Sequence, residues 1–392
     1  MKRSTVNKII DICPDFRLMK KSLSAVRMKR IRGHYIPTTD VIAGEGNDED
    51  KKRIVEKYTA EHRNELRSTY EMMDHIFKHA PQYRKRVNDD KLRTDLLFCR
   101  MAYGFQPDEY LCFDLEHQSY EERRNWISDW DRYIYIHSVN DVKDAQIFNN
   151  KVRTYEMFAP YYKRAAIGIK TKKDFQAFKR FTNEYPQFVK KQVYEGMGRS
   201  VELMDLKQIS ALELFQDLIA KGEHIIEERI VQSNVMSELN PSSVNTVRCI
   251  TINTKKGIKT PFCFLKVGRN GSFVDNGGAG GILTGIDPES GIVVTHGYDE
   301  FHREYVSHPE TGILFKGFKL PQWDEMKRIC REMAHKVPSV KCIGWDMAFT
   351  DQGWIIVEGN GMTQFIVPQI VFQRGIKQEV EEILQNVERI VT

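Results

Sequence analysis

The sequence lacks the paired cysteines that a disulfide framework or a structural zinc site would need. Its 392 residues contain seven cysteines and no C-x-x-C pair. Cys249 and Cys263 lie within apolar runs that predict β-strands. Buried cysteines behave as small apolar side chains, and disulfides are rare in reducing compartments. We therefore expect reduced, buried thiols and a cytoplasmic protein.

Long apolar segments are absent as well. No stretch approaches the roughly 18 consecutive apolar residues that a membrane-spanning helix requires. The N-terminal sequence MKRSTVNKIIDICPDF lacks the continuous apolar segment of a signal peptide. The Walker A pattern G-x-x-x-x-G-K-S/T does not occur either. The sequence therefore predicts neither a membrane span nor a P-loop nucleotide site.

Net charge points to no particular partner. The chain has 59 Lys and Arg residues against 54 Asp and Glu residues, a formal net charge of +5 that is small for this length. Residues 17–33 are an exception, because they contain seven basic and no acidic side chains. This segment could contact an anionic lipid, a nucleic acid or a phosphorylated substrate, but a solvated arm is the simpler interpretation. We therefore do not expect a nucleic-acid-binding protein.

The predicted elements indicate an α+β protein with two lobes that follow a helical N-terminal region. Residues 1–140 are predicted to be mostly helical, residues 141–232 to mix helices with short strands, and residues 233–392 to be richer in strands. This length suits two or three packed lobes. Because β-hairpins take the place of a strict βαβ alternation, a doubly wound parallel sheet is not expected.

One predicted hairpin near the C-terminal end brings three oxygen-bearing side chains together. A three-residue loop that ends at Gly353 places Asp346 directly opposite Glu358. Asn360 lies two residues beyond Glu358 and so points to the same face. Two carboxylates whose Cβ atoms are about 5 Å apart repel each other, and a hard cation such as Mg²⁺ would neutralise them. The alternatives are solvated acids on an outer face, or an acid paired with a Lys or Arg.

Apolar neighbours favour the metal site over a solvated hairpin. Ile343, Trp345, Met347, Ile355 and Val357 are predicted to face a buried side of the same two strands. One face of this strand pair would then pack in the protein interior, and the acidic residues would lie on the other face.

Basic residues suggest where phosphates would bind. Lys190 and Lys191 precede a flexible turn that contains Gly196 and Gly198, whose backbone N–H groups could approach phosphate oxygens. Such turns are also common in ordinary hairpins. Arg248 is a charged residue in an otherwise apolar strand, so it must pair either with an acid or with a ligand phosphate.

Four motifs together resemble the ATP-grasp superfamily, and in particular the sugar-transfer-associated ATP-grasp proteins. They are NPSSVNTVR (240–248), VDNGGAGGI (274–282), HPETG (308–312) and IGWDMAFTDQGWIIVEGNG (343–361). The resemblance covers roughly residues 95–375 in order, and the pattern D-x₁₁-E-x-N in the last motif is fairly specific. It implies an ATP-grasp fold, in which two α+β lobes grip ATP.

The resemblance also implies roles for individual residues. It implies Mg²⁺ ligands at Asp346, Glu358 and Asn360. It implies contacts with ATP phosphates from Lys151, from Lys190 or Lys191, from Arg248, and from the loop of Gly196 and Gly198. It implies adenine contacts at Glu227, Glu228 and Ile230. It implies substrate contacts on the acceptor side at Asp275 and Asn276, to which His296 is added as a candidate.

The chemistry that the resemblance implies is an ATP- and Mg²⁺-dependent, ADP-forming carboxylate–amine ligase. It would act through an acyl phosphate on a saccharide or a peptide-like metabolite, with Arg248 and Lys190 as catalytic residues. One alternative is a kinase that phosphorylates a hydroxyl group with His296 or His308 as general base. The other is a non-catalytic nucleotide-binding protein. The expected partners are small molecules, and the sequence does not predict an oligomeric state.

Overall fold

The computed structural model describes residues 36–64, 66–195 and 200–388. The basic segment 17–33 and the predicted phosphate-loop residues Gly196 and Gly198 lie outside these ranges. Within them, no helix is both long and apolar enough to cross a membrane.

The first part of the described chain is helical, as the sequence predicts. Its helices are α1 (Thr38–Gly46), α2 (Asp48–Glu61), α3 (Arg67–His79), α4 (Asp90–Ala102), α5 (Pro107–Cys112), α6 (Tyr120–Arg124) and α7 (Asp129–Val139). The apolar sides of α1 to α6 meet in one buried cluster that contains Met73, Phe98 and Phe113, whereas Ile136 and Val139 of α7 belong to a separate cluster. Ile370, from near the C-terminal end, joins this cluster. The helical region is therefore packed onto the last part of the chain.

A small lobe follows, built on a four-stranded sheet. Its elements are α8 (Lys151–Tyr162), β1 (Ala166–Ile169), α9 (Phe175–Glu184), β2 (Gln187–Gln192), β3 (Glu202–Asp205), α10 (Ala211–Lys221) and β4 (His224–Glu228). The strand order is β1-β4-β2-β3, and every neighbouring pair is antiparallel. Gly222 ends α10 with a φ of 112°, as predicted from its position.

Helices α9 and α10 cover one face of the small sheet. Phe178 and Phe215 from these helices cluster with Phe188 of β2 and Ile226 of β4. Because side chains alternate along a strand, the residues next to Phe188 and Ile226 point to the opposite face.

The large lobe contains a seven-stranded sheet. Its elements are α11 (Asn234–Leu239), β5 (Thr246–Thr254), β6 (Gly257–Val267), β7 (Ile282–Ile286), β8 (Val293–Tyr298), β9 (Glu304–Tyr305), α12 (Trp323–His335), β10 (Cys342–Thr350), β11 (Gly353–Asn360), α13 (Ile366–Phe372) and α14 (Lys377–Leu384). The strand order is β11-β10-β5-β6-β7-β8-β9, and all pairs are antiparallel. These two antiparallel sheets with flanking helices confirm the predicted α+β class.

The two faces of the large sheet differ in chemistry. Val247, Cys249, Trp345 and Met347 belong to a core cluster that includes residues of α12. The residues between them on β5 and β10 therefore face the other side of the sheet. The six cysteines of the described ranges are all buried and free, which confirms the prediction of reduced thiols for that part of the chain.

Candidate functional site

Strands β10 and β11 form the predicted hairpin, and its acidic residues are paired as expected. Asp346 lies opposite Glu358, and Gly344 lies opposite Asn360. Directly opposed residues share a face of the sheet, so the two carboxyl groups and the amide lie on the same side.

The turn that closes this hairpin differs from the prediction of a three-residue loop. Thr350 pairs with Gly353, whose φ is 85°, so only two residues lie between the strands. The pairing then shifts between Met347, opposite Ile356, and Asp346, opposite Glu358. One extra residue on β11 makes a β-bulge, and it restores the pairing that the shorter turn would have displaced.

The shorter turn also changes which apolar residues of β11 reach the core. Trp354 and Ile356 belong to the core cluster, together with Met347 of β10. The prediction that Ile355 shares this side is wrong, because Ile355 lies opposite Ala348 and outside the cluster. A two-residue turn moves the alternation of side chains by one position until the bulge is reached.

Asp346 is held by two cations of the protein. Arg248 Nε lies 2.5 Å from Oδ1, Arg248 Nη2 lies 2.7 Å from Oδ2, and Lys266 Nζ lies 3.1 Å from Oδ1. Burial alone would raise the pKa of Asp346, but the charges of Arg248 and Lys266 lower it to about 2. The same ion pair raises the pKa of Arg248 against the opposing effect of its burial. Arg248 thus pairs with an acid, one of its two predicted alternatives.

Asn360 connects Glu358 with Arg248. Its amide is satisfied when the nitrogen donates to Glu358 Oε1 at 3.2 Å and the oxygen accepts from Arg248 Nη2 at 3.3 Å. Oxygen atoms of Asp346 and Asn360 therefore bind one guanidinium group, and Asn360 links this group to Glu358.

The donor set at this site fits a hard cation, because two carboxylates and an amide oxygen are the ligand types that Mg²⁺ accepts. A metal ion bound to Asp346 would have to replace a contact that Arg248 or Lys266 makes. Within the described part of the chain, no three His, Cys, Asp or Glu side chains are grouped as a metal site. The assignment of Asp346, Glu358 and Asn360 as metal ligands therefore stays a prediction.

A second, buried ionic cluster lies on the face of the small sheet opposite α9 and α10. Glu227 of β4 accepts hydrogen bonds from Arg164 Nη2 at 2.6 Å and from Lys191 Nζ at 2.9 Å. Burial opposes the charge on Glu227, but Lys191 and Arg164 lower its pKa to about 2. Arg164 Nη1 also donates to the carbonyl oxygen of Ile356 at 2.6 Å. The cluster thus links the small lobe to β11.

Lys190 and Lys191 point to opposite faces of the small sheet. Lys190 lies opposite Ile226, whose side chain packs under α9 and α10, and its Nζ lies 3.1 Å from Glu202. Lys191 is on the face of Glu227. This placement favours Lys191 as the predicted phosphate ligand, whereas the predicted role of Lys190 remains untested.

Lys151 lies on the same side as Lys191. It begins α8, and its ammonium group donates to the carbonyl oxygen of Glu195. Burial lowers the pKa of Lys151, the charge of Lys191 lowers it further, and Glu358 and Glu227 oppose this effect. Helix α8, which begins at Lys151, packs against β11 of the large lobe, the strand that carries Glu358.

The other residues predicted to contact adenine lie at the end of β4. Glu228 donates its backbone N–H to the carbonyl oxygen of Ala165 at 2.9 Å, and its carboxylate accepts from Ala165 N at 3.1 Å. Ile230 follows the strand and is half-buried. Their predicted role in adenine binding is not tested by these contacts.

Asp275 lies beside the acidic hairpin. Its Oδ2 accepts a hydrogen bond from Thr246 N at 2.9 Å, and its Oδ1 lies 3.9 Å from Lys266 Nζ. Burial raises the pKa of Asp275, with a further contribution from Asp346. Asn276 accepts a hydrogen bond from Gly278 N at 3.2 Å, which shapes the glycine-rich turn.

Lys266 is a site residue that the sequence analysis missed. The signal was present in FCFLKVG, where a lysine alternates with Cys263, Leu265 and Val267. These three residues belong to the large-lobe core, so the lysine between them points to the acidic face.

The two histidine candidates are engaged elsewhere. His296 lies on β8, which is separated from β10 by three strands of the sheet, and its Nδ1 is 2.8 Å from Glu304 Oε1 on β9. His308 is buried, and its ring nitrogens contact the backbone of Gly268 and Thr311. The substrate role of His296 stays a prediction.

The helical region supports the loop that follows β11. Asn140 Nδ2 donates to the carbonyl oxygens of Cys342 at 2.8 Å and Gly361 at 2.7 Å. Arg132 donates to the carbonyl oxygens of Met362 and Thr363. The residues after Asn360 are therefore fixed from outside the two lobes.

Solved structures that are similar to this chain have low sequence identity to it and cover nearly two thirds of its length. One is the structure of ATP-grasp ligase PsnB complexed with minimal precursor, at 13% identity and a TM-score of 0.40, covering 63% of this chain and 62% of that one. The D-alanine-D-alanine ligase from Coxiella burnetii matches at 9% identity and a TM-score of 0.39, covering 63% and 59%. Phosphoribosylamine–glycine ligase from Thermotoga maritima matches at 12% identity and a TM-score of 0.43, covering 64% and 58%.

This chain therefore spans less than two thirds of the length of these three proteins. No curated protein matches it. Residues 131–389, however, match the family described as sugar-transfer associated ATP-grasp. That segment holds both sheets and every predicted site residue, from Lys151 to Asn360. The chain belongs to the sugar-transfer-associated ATP-grasp family, and its two lobes have the ATP-grasp fold.

Proposed function

We propose that this protein is an ATP- and Mg²⁺-dependent ligase that joins a carboxylate to an amine and releases ADP and phosphate. The observation that carries the proposal is the convergence of Asp346, Glu358 and Asn360 around Arg248 on one face of the large sheet. Lys151 and Lys191 extend this polar region from the small lobe. Membership of the ATP-grasp family supports ATP as the nucleotide substrate.

The reaction would proceed in two displacements. A carboxylate oxygen of the first substrate attacks the γ-phosphorus of ATP, an O–P bond forms, and the bond to the bridging oxygen breaks so that ADP leaves. The amine nitrogen of the second substrate then attacks the acyl carbon, and the C–O bond to phosphate breaks. The proton lost by the amine leaves with the released phosphate or with water.

The protein residues would act by positioning and by neutralising charge. Arg248 is suited to the transferred phosphoryl group because its guanidinium can bind two oxygens at once. Lys151 and Lys191 are suited to the remaining phosphates. Mg²⁺ on Asp346, Glu358 and Asn360 would supply positive charge to the phosphate oxygens.

The remaining predicted roles complete the proposal. Glu227, Glu228 and Ile230 would contact adenine, and Gly196 and Gly198 would cover the phosphates. Asp275 and Asn276 would face the acceptor. A saccharide or peptide-like acid is the proposed substrate class, and the family's association with sugar transfer favours a saccharide.

A kinase on the same fold is the second candidate. Such an enzyme usually needs a general base near the acceptor hydroxyl. His296 lies on β8, with three strands between it and β10, and both ring nitrogens of His308 are engaged by backbone groups. These positions favour the ligase.

The proposal is tested by a screen for ADP release with Mg²⁺ over paired libraries of carboxylates and amines. A ligase releases ADP and free phosphate only when both substrates are present. With ATP labelled at the γ-phosphate, a kinase would instead retain the label in an organic product, which would contradict the proposal. Tight ATP binding without turnover in any pair would favour a non-catalytic protein.

A further inference from the structure

Lys266 is a buried cation of the site whose role the preceding assignments leave open. Its side chain is 13% exposed and lies between two acids. The distances from Nζ are 3.1 Å to Oδ1 of Asp346 and 3.9 Å to Oδ1 of Asp275. Because a buried lysine is costly without a partner, these acids account for its position in this structure.

A metal ion on Asp346 would compete with this contact. Asp346 Oδ1 already faces Lys266 Nζ and Arg248 Nε, and Oδ2 faces Arg248 Nη2. A divalent ion about 2.1 Å from either oxygen would repel these groups. Metal binding therefore requires a new anionic partner for at least one of the two cations. Asp275 offers these two cations only its Oδ1, because its Oδ2 already accepts both hydrogen bonds from Thr246.

The order of strands shows where that partner would lie. Glu358 is on β11, Asp346 on β10, Arg248 on β5 and Lys266 on β6, in the order of the sheet. The small lobe contacts β11 through Arg164. Lys266 is thus about 14 Å, or three strand spacings, from the strand that contacts the small lobe. Phosphates that enter from the lobe interface would meet Lys266 last.

We propose that Lys266 binds an oxyanion at the acceptor end of the site and releases Asp346 to the metal as that oxyanion arrives. The inference rests on the proposed function, because it takes Asp346 as a metal ligand. The oxyanion is a terminal phosphoryl group or a substrate carboxylate, since either offers the charged oxygens that an ammonium group binds. Arg248 and Lys266 would then face this group together.

The test compares wild type with Lys266→Met, which keeps much of the side-chain length and removes the charge. Mn²⁺ alone is titrated by electron paramagnetic resonance. Because a competing cation is lost, the variant is expected to bind Mn²⁺ about 3-fold or more tightly than wild type. AMP-PNP and ADP are then titrated calorimetrically with Mn²⁺ present, followed by acetate with ADP and Mn²⁺ present.

The titrations with AMP-PNP, ADP and acetate identify the source of the oxyanion. A loss of roughly 10-fold or more in AMP-PNP affinity, with ADP unchanged, assigns the terminal phosphoryl group to Lys266. A loss of affinity for acetate alone assigns the substrate carboxylate to Lys266. Lys327→Met is the matched control, because Lys327 is a buried lysine of α12 whose Nζ contacts the carbonyl oxygen of Pro288 at 3.1 Å.

Lys266→Gln is measured in parallel as a second charge-removing variant, and thermal unfolding checks that each variant is folded. Unchanged or weaker Mn²⁺ binding in the folded variants would overturn the inference, because Lys266 would then only neutralise buried acids. Unchanged affinity for both AMP-PNP and acetate would overturn it as well. If wild type binds neither Mn²⁺ nor AMP-PNP, the proposed function itself fails, which is a separate outcome.

Discussion

Arg164 Nη1 donates a hydrogen bond to the carbonyl oxygen of Ile356, and the nitrogen–oxygen distance is 2.6 Å. Ile356 is the last residue of β11 before the bulge that brings Glu358 opposite Asp346. The same guanidinium binds Glu227, which in turn binds Lys191. One buried side chain thus joins the bulge of the acidic hairpin to the cationic face of the small lobe.

We expect Arg164→Met to destabilise the protein and to weaken nucleotide binding. Removing one partner from a buried ionic cluster costs about 3–5 kcal/mol, and Lys191 remains to offset part of that cost for Glu227. Urea unfolding would measure the stability. Calorimetry with AMP-PNP in the presence of Mg²⁺ would measure the nucleotide affinity. Arg67→Met is the control, because the Arg67 side chain is 83% exposed and its ion pair is with exposed Glu71. Equal effects of both substitutions would show that the link to Ile356 is unimportant.

Lys191→Met and Lys190→Met form a matched pair, since the two residues are adjacent and both are buried. Lys191 shares a face with Glu227, whereas Lys190 points toward α9 and α10. We expect AMP-PNP affinity to fall roughly 10-fold or more in Lys191→Met and to change little in Lys190→Met. The reverse pattern in calorimetric titrations would return the phosphate role to Lys190.

Glu358→Gln is expected to abolish Mg²⁺-dependent ADP release while the protein stays folded. The substitution keeps the shape of the side chain but removes one of the two opposed carboxylates. Asp351→Asn, in the exposed turn of the same hairpin, is the control and should retain activity. ADP release and the circular dichroism spectrum are measured for both. Full activity of Glu358→Gln would remove the metal site from the proposal.

Glu227 makes stability depend on pH. Its folded pKa of about 2 lies below its ordinary value of 4.5, so its contribution is present above pH 4.5 and is lost as the pH falls toward 2. The loss amounts to about 3 kcal/mol. Urea unfolding at several pH values should show a shallower decline for Glu227→Gln than for wild type. Asp346 has a similarly lowered pKa in both proteins, so parallel curves would contradict the role of Glu227.

Gly344→Ala should perturb the site directly, because Gly344 lies on the same face of the sheet as Asp346. A Cβ at this position would lie 2.3 Å from Thr363 Oγ1 and 3.0 Å from Arg248 Cδ, so these neighbours must move. We expect a loss of about 1–3 kcal/mol in unfolding free energy and weaker AMP-PNP binding. Gly46→Ala is the control, because a Cβ there meets no atom within 4 Å. Similar unfolding curves for both variants would contradict the predicted clash.

The acidic hairpin shows which features of the site local sequence can predict. The spacing of Asp346, Glu358 and Asn360 predicted the observed pairing, because strand alternation and a glycine with positive φ are local properties. The turn length and the side on which Ile355 lies were predicted incorrectly. A two-residue turn followed by a bulge gives the same pairing of the acids as a longer turn, so the spacing of the acids could not distinguish the two.

The sequence by itself determined the α+β class, the helical N-terminal region, the buried thiols and the family. Periodicity and motifs depend on residues that are close together in the chain, so they can be recognised without the structure. Only the tertiary structure decided that Lys191 rather than Lys190 shares a face with Glu227, and that Lys266 joins Arg248 at Asp346. These are contacts between residues distant in sequence. Burial there requires every charge to find a partner, and which partner it finds depends on how the strands are ordered in space.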